Sequence, residues 1–283
     1  MGPEVHRRTN IVKMQTARKS LRSAYLLTMV VVVLMGAQAI LGILYQAQYR
    51  DADWIIATWF GNDWFTLVVA VPMFAVALTS AGRRSIRGLL LWVGMLGYGV
   101  YNYAYYLFGA ALNAFFPLYV LICVLSSVAL ILVLSRMEVE SVIVGFEPDT
   151  PVRLVGGYLV LVGVSLSGVW LTMWAAYAFA GRATPVEPEA FKLVAALDLS
   201  LMVTALVIGG VLLWRKQPWG YIIAAVAGIQ GALYLMVLSV NSIVAIERGF
   251  VQAPGEFPVW ATLAVLTTIV VALLLSHVRG EQR

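Results

Sequence analysis

From Asp198 to Tyr221 the chain reads DLSLMVTALVIGGVLLWRKQPWGY. One carboxylate opens the stretch, an apolar run ends at Trp214, Arg215-Lys216-Gln217-Pro218 makes a basic turn, and a second apolar run opens on Trp219-Gly220-Tyr221. Lipid supplies no hydrogen bonds, so apolar runs of this length must close their own backbone bonds as helices, while cations and aromatic rings settle at the interfaces. The segment therefore predicts a hairpin of two membrane helices with its turn on the cytoplasmic side.

The rest of the chain repeats this grammar. Hydrophobic residues make up 61% of the 283, charged residues 12%, and mean hydropathy is +0.89, too little polar surface to cover a water-soluble globule of that size. The net charge of +5 lies between apolar runs, which points to anionic lipid headgroups and a topology signal, and away from nucleic acid. Cys123 is the only cysteine, so an intrachain disulfide is excluded, and its apolar surroundings suit a small core residue. The two histidines, His6 and His277, fall at helix ends, which argues against a haem or histidine-held metal. No metal and no cofactor is expected.

These patterns predict an all-α, polytopic transmembrane helix bundle of about eight spans. Residues 1–23 form a basic cytoplasmic segment with Arg7, Arg8, Lys13, Arg18, Lys19 and Arg22 against Glu4. Ile11, Val12, Met14 and Leu21 among those cations suit either a short helix on the membrane surface or a disordered basic tail. The transmembrane domain, residues 24–276, holds spans at about 24–45, 64–81, 88–108, 114–135, 152–179, 191–214, 219–245 and 258–276. Residues 46–63, with Asp51, Asp53 and Asp63 against Arg50 and Trp54, Trp59 and Trp64 alongside, read as an outer interfacial loop, with Asp63 opening the second span and Pro72 kinking it. Residues 136–152 read as a cytoplasmic loop, with Thr150 capping the fifth span and Pro151 in its first turn. Pro117 and Pro258 suit the first turns of the fourth and eighth. A short cytoplasmic tail, 277–283, follows. With both termini cytoplasmic, only Arg50, Arg182, Lys192 and Arg248 of the 19 Lys and Arg lie outside, as the positive-inside rule requires.

Residues 24–135 and 152–276 also overlay as a 4+4 repeat. Gly36 precedes Tyr45, and Gly168 precedes Tyr177, by the same spacing; Asp63 corresponds to Asp198; Arg83-Arg84 and Arg215-Lys216 are each followed by a glycine, Gly88 and Gly220; Gly94 and Tyr98 match Gly231 and Tyr234. Such a repeat is parallel, about an axis along the membrane normal, with a cavity expected between its halves.

Asp198-Leu199 through Arg215-Lys216-Gln217-Pro218-Trp219-Gly220-Tyr221 resembles a pattern in uncharacterised bacterial multi-span membrane proteins. Tyr101-Asn102-Tyr103-Ala104-Tyr105-Tyr106, with Asn113, Phe116, Pro117 and Tyr119, resembles it too. The resemblance implies a bacterial inner-membrane location and carries no activity.

Asp198 is the sharpest candidate, because an ionisable side chain in mid-span costs about 2.5–3.5 kcal/mol unless it turns toward protein or water. At 100° per residue, Gly94, Tyr98, Asn102, Tyr105 and Gly109 form one polar and small-residue stripe on the third span, with Tyr101, Tyr103 and Tyr106 pointing elsewhere. Ala227, Gln230, Gly231, Tyr234 and Asn241 form a second on the seventh. The plain reading of both is helix packing, and of Asp198 an acid that holds the bundle together. The functional reading joins Asp198, Tyr98, Asn102, Tyr105, Gln230, Tyr234, Asn241 and Asp63 in a site for a small polar or cationic solute, as in a transporter or permease. Against it stand a non-catalytic assembly or scaffold subunit and a membrane-embedded enzyme using Asp63 and Asp198. The partners implied are the lipid bilayer and the solute.

Overall fold

The computed structural model describes residues 3–83 and 85–279, with side chains from residue 21 onward. Met1, Gly2, Arg84 and residues 280–283, with the expectations attached to them, lie outside the described residues, as do the side-chain expectations for residues 3–20. The fold is all-helical: α1 Pro3–Leu44, α2 Asp53–Gly82, α3 Ile86–Gly109, α4 Phe116–Arg136, α5 Val139–Val144, α6 Val152–Ala180, α7 Pro188–Trp214, α8 Pro218–Glu247 and α9 Phe257–Ser276. The apolar part of α1 begins at Leu21. With α2, α4, α6, α7, α8 and α9 it makes seven helices long and apolar enough to cross a membrane. Large side chains such as Val33, Val68, Ile131, Leu161, Val164 and Val265 point outward from these helices, as lipid-facing surfaces require and water-facing ones do not tolerate at this density. The chain is a multi-pass integral membrane protein.

Two helices fall short of that threshold: α5, which has only six residues, and α3, whose tyrosines, glycines and Asn102 lower its hydropathy. The place of α3 explains its composition. It packs against α2, α4, α8 and the first part of α7, and Trp92, Leu96, Tyr98, Tyr101, Tyr103 and Tyr106 are all buried. Its central partner is α8, whose apolar stretch is 61% buried against 22% for α6 and α9. Around this pair, α1 lies on α2 and α4, α6 lies on α7, α9 lies on α8, and α2 reaches across to α8. One end of the bundle gathers Ile86, Arg87, Gly145 and residues 276–279: the Arg87 guanidinium donates to the carbonyls of Ser276 and Val278, and Phe146 bridges Val278. The opposite end gathers residues 46–51, 109–111, 187–193 and Arg248.

Several local expectations change. The stretch 53–63 is helix, so Asp63 does not open the second span but lies ten residues inside α2. The reason is Trp59, which is 1% exposed, stacks on Tyr106 and packs inward, so the tryptophans here are not all interfacial. Pro72 is preceded by a π-helical segment, Thr66–Ala70, whose wider turn accommodates the missing backbone donor. The 136–152 loop contains α5. Thr150 donates its hydroxyl to the Glu147 carbonyl instead of capping, and Pro151 stands just before the helix. Pro117 and Pro258 do occupy first turns, and so do Pro188 and Pro218, the latter read from the sequence as part of the turn.

Close backbone approach ties α6 to α7. A Cβ on Gly156 would lie 2.6 Å from the Gly210 carbonyl oxygen, and one on Gly210 would lie 2.7 Å from that of Gly156. Gly156→Leu or Gly210→Leu is therefore expected to destabilise the protein by about 1–3 kcal/mol through overpacking. Gly168→Leu, on the same α6 but facing open space, should stay within about 0.5 kcal/mol. Thermal unfolding of the purified variants in detergent separates the two outcomes.

Candidate functional site

Three buried polar clusters surround α3, each facing a different side of it. The first is built on Asp63, which is fully buried. Oδ1 accepts from Gln38 Nε2 at 3.0 Å and from the Tyr106 hydroxyl at 2.7 Å; Oδ2 accepts from the Tyr49 hydroxyl at 2.6 Å. Tyr103 donates to Gln38 Oε1 at 2.9 Å and so fixes the amide that serves the acid. Stacked rings seal the cage, with Trp59 and Tyr119 each on Tyr106 at 4.8 and 5.0 Å between centroids. From α1, Gly42 closes the last side: a Cβ there would lie 2.0 Å from Asp63 Oδ2. Tyr49 lies between spans, and burial, reinforced by the adjacent carboxylate, holds its phenol far above the ordinary range, so it remains a donor.

The second cluster is built on Asp198, 1% exposed on α7 at the start of a π-helical segment, Asp198–Val203. Tyr101 of α3 donates to Oδ1, Trp170 Nε1 of α6 to Oδ2 at 2.9 Å, and Tyr234 of α8 to Oδ2 at 3.3 Å. Both acids thus sit among three neutral donors, with no cation in either cage among the described residues.

The third lies between α2, α3 and α8. Asn62 Nδ2 donates to Asn102 Oδ1 at 3.0 Å. Asn62 Oδ1, Asn102 Nδ2 and Asn241 Oδ1 are buried with no partner among the described residues, and the buried hydroxyls of Thr66 and Tyr98 face one another without a well-formed hydrogen bond. Whichever way round the two amides are assigned, a single bond between them leaves one acceptor and one donor unused. Asn241 Oδ1 rests on Gly61, where a Cβ would lie 2.4 Å away. Thr58 and Ala245, one helical turn nearer the 187–193 end, line a cavity of about 680 Å³ with Trp54, Glu187 and Phe250. A second cavity, of about 310 Å³, lies beside it between Ile55, Gly109, Glu187 and Leu193.

The residues singled out from the sequence are thereby divided. Tyr234 reaches Asp198. Tyr98, Asn102 and Asn241 belong to the amide cluster. Asp63 has a cage of its own, Tyr105 packs at a tilt against Trp59, and Gln230 packs beside Gly97. Tyr101 and Tyr106, read as pointing away from the stripe, do so, and each reaches a carboxylate instead. Gln38, Tyr49, Tyr101, Tyr106 and Trp170 carry no signal in linear spacing beyond being polar or aromatic within or near apolar spans. The chain matches no protein-family model, and no curated protein or solved structure is similar to it.

Asp63→Leu removes the acceptor for three buried donors, each worth about 1–3 kcal/mol when left unpaired, so a loss of at least about 3 kcal/mol is expected. Gly42→Ala displaces the same carboxylate. In a double-mutant cycle read by thermal unfolding, Asp63→Leu should cost distinctly less in the Gly42→Ala background than in the native one.

Proposed function

We propose that this protein is a transporter or permease for a small polar solute, with the third cluster as its binding site. The observation that carries the reading is the 680 Å³ cavity whose lining residues Thr58 and Ala245 stand one turn, about 5.4 Å, above Asn62 and Asn241. Unpaired amide and hydroxyl groups at that depth are costly unless something pairs with them, and a ligand that both donates and accepts fits the set.

The architecture of the proposal has eight spans in a bacterial inner membrane, both termini cytoplasmic, with α3 as the eighth. Its 24 residues extend about 36 Å at 1.5 Å per residue, enough for a hydrocarbon core of about 30 Å. The proposal also has a parallel repeat, α1 to α4 against α6 to α9. In its support, Asp63 and Asp198 each lie ten residues into their helices, each is associated with a π-helical segment, and each takes a tyrosine from α3. Helix neighbours correspond as well: α2 with α3 and α7 with α8, α3 with α4 and α8 with α9, and across the middle α2 with α8 and α7 with α3. Transporters built from repeats hold their substrates where the repeats meet, and the amide cluster lies where α2, α3 and α8 meet.

A membrane assembly subunit is the second reading, favoured by the two carboxylates whose hydrogen bonds are filled from within the chain. Thermal unfolding in nanodiscs against a panel of small uncharged polar and cationic solutes decides between them. At least one solute should stabilise the protein, by about 2.7 kcal/mol at a hundred times its Kd, and Asn102→Leu should abolish the shift. No shift from any solute, together with loss of another membrane protein on deletion of this one, would put the assembly role first. For topology, single cysteines at Ser141 and Gly255 in a Cys123→Ser background should label with an impermeant maleimide from opposite faces; labelling from one face overturns the eight-span arrangement.

A further inference from the structure

Asp63 and Asp198 have the same number of donors but not the same surroundings. The Asp63 cage is closed by Gly42 and the stacked rings of Trp59, Tyr106 and Tyr119, and none of its donors lines the 680 Å³ cavity, the 310 Å³ cavity or the groove between α6 and α7. One donor of Asp198 does. Trp170 is half-buried, meets Phe191 edge-on at 5.2 Å between centroids, and lines a groove of about 540 Å³ between α6 and α7. That groove extends past Trp174 and Lys192 to Thr184 and Glu189 at the 181–189 end of the bundle. The Trp170 indole is thus the side chain standing between the groove and Asp198 Oδ2.

Trp170 and the two tyrosines differ in what they permit. An indole N–H only donates, whereas a phenol both donates and accepts. A carboxylate accepts from all three. A proton on Oδ2 puts a donor on the oxygen that faces the indole donor, so that contact weakens, while Tyr101 and Tyr234 can turn their hydroxyls to accept. Their rings already meet edge-on at 5.3 Å between centroids. The titratable groups facing Asp198 are the phenols of Tyr101 and Tyr105 on α3 and of Tyr234 on α8, with Glu189 and Lys192 of its own helix and Tyr177 of α6 in the groove.

We infer that Asp198 is a proton-binding carboxylate loaded from the α6–α7 groove, with Trp170 as its gate, and that Asp63 is a fixed structural acid. In the loading step a hydronium ion in the groove gives its proton to Oδ2 and is left as water, the Trp170 N–H to Oδ2 contact breaks, and the carboxylate becomes a neutral acid; unloading reverses each change. Such a step suits proton-driven movement of a solute. It concerns a different site from the amide cluster and holds whether or not a solute binds there.

The test uses the full chain in lipid nanodiscs without solute. Infrared difference spectra over a pH series should show a protonated-carboxyl C=O band that disappears in Asp198→Asn and persists in Asp63→Asn. With 5-fluorotryptophan in place of the nine tryptophans, Trp170→Phe assigns the Trp170 fluorine signal, which should move with pH in step with that band. The fluorine experiment keeps Asp198 and does not depend on its variant folding. A band that survives Asp198→Asn, or a Trp170 signal indifferent to pH, overturns the inference. Failure of every solute in the stability panel would overturn the transport reading and leave these two signals unchanged.

Discussion

Everything in this bundle depends on the need to pair polar groups where the solvent is hydrocarbon. Backbone groups meet it by forming helices; side chains have to find one another across helices. The burden falls on α3. Its tyrosines and Asn102 make it the helix that lipid would tolerate least, and the structure answers by enclosing it with α2, α4, α7 and α8. From that position it serves three clusters at once: Tyr106 and Tyr103 on one side for Asp63 and Gln38, Tyr101 on another for Asp198, and Tyr98 with Asn102 between them for the amide cluster.

Two uses of a buried acid result. Around Asp63 every contact restricts: a glycine with no room for a methyl group, three donors, and a stack of aromatic rings. Replacing one caged charge by a neutral group of similar shape can be tolerated in a protein interior, but removing an acceptor from among donors is not. Around Asp198 the same chemistry is arranged at the edge of a groove, with a donor-only indole on the accessible side. The third cluster has no acid among the described residues, and its unpaired amides lie one helical turn from residues that line a cavity. Three differently built polar clusters are thus joined by one helix.

Much of the frame was legible in the chain itself. Apolar runs long enough for lipid, basic turns such as Arg215-Lys216, and the first-turn prolines Pro117 and Pro258 specify where helices lie and where two of them begin. The stripe from Gly94 to Gly109 follows from helical period alone, and its members do face neighbouring helices: Gly94 meets Ile229, Asn102 meets Asn62 and Gly109 meets Leu193.

Only the tertiary structure decided which partners meet. Asp63 read as a surface acid because Trp54, Trp59 and Trp64 look alike in sequence, whereas Trp59 packs into the interior and carries the helix past it. Asp198 was recognisable as a costly residue, but its donors Tyr101, Trp170 and Tyr234 come from three helices, and their convergence depends on crossing and rotation that linear spacing does not encode. Local sequence determines a helix because its hydrogen bonds run four residues back; it cannot determine a cage whose bonds reach from residue 198 back to residue 101.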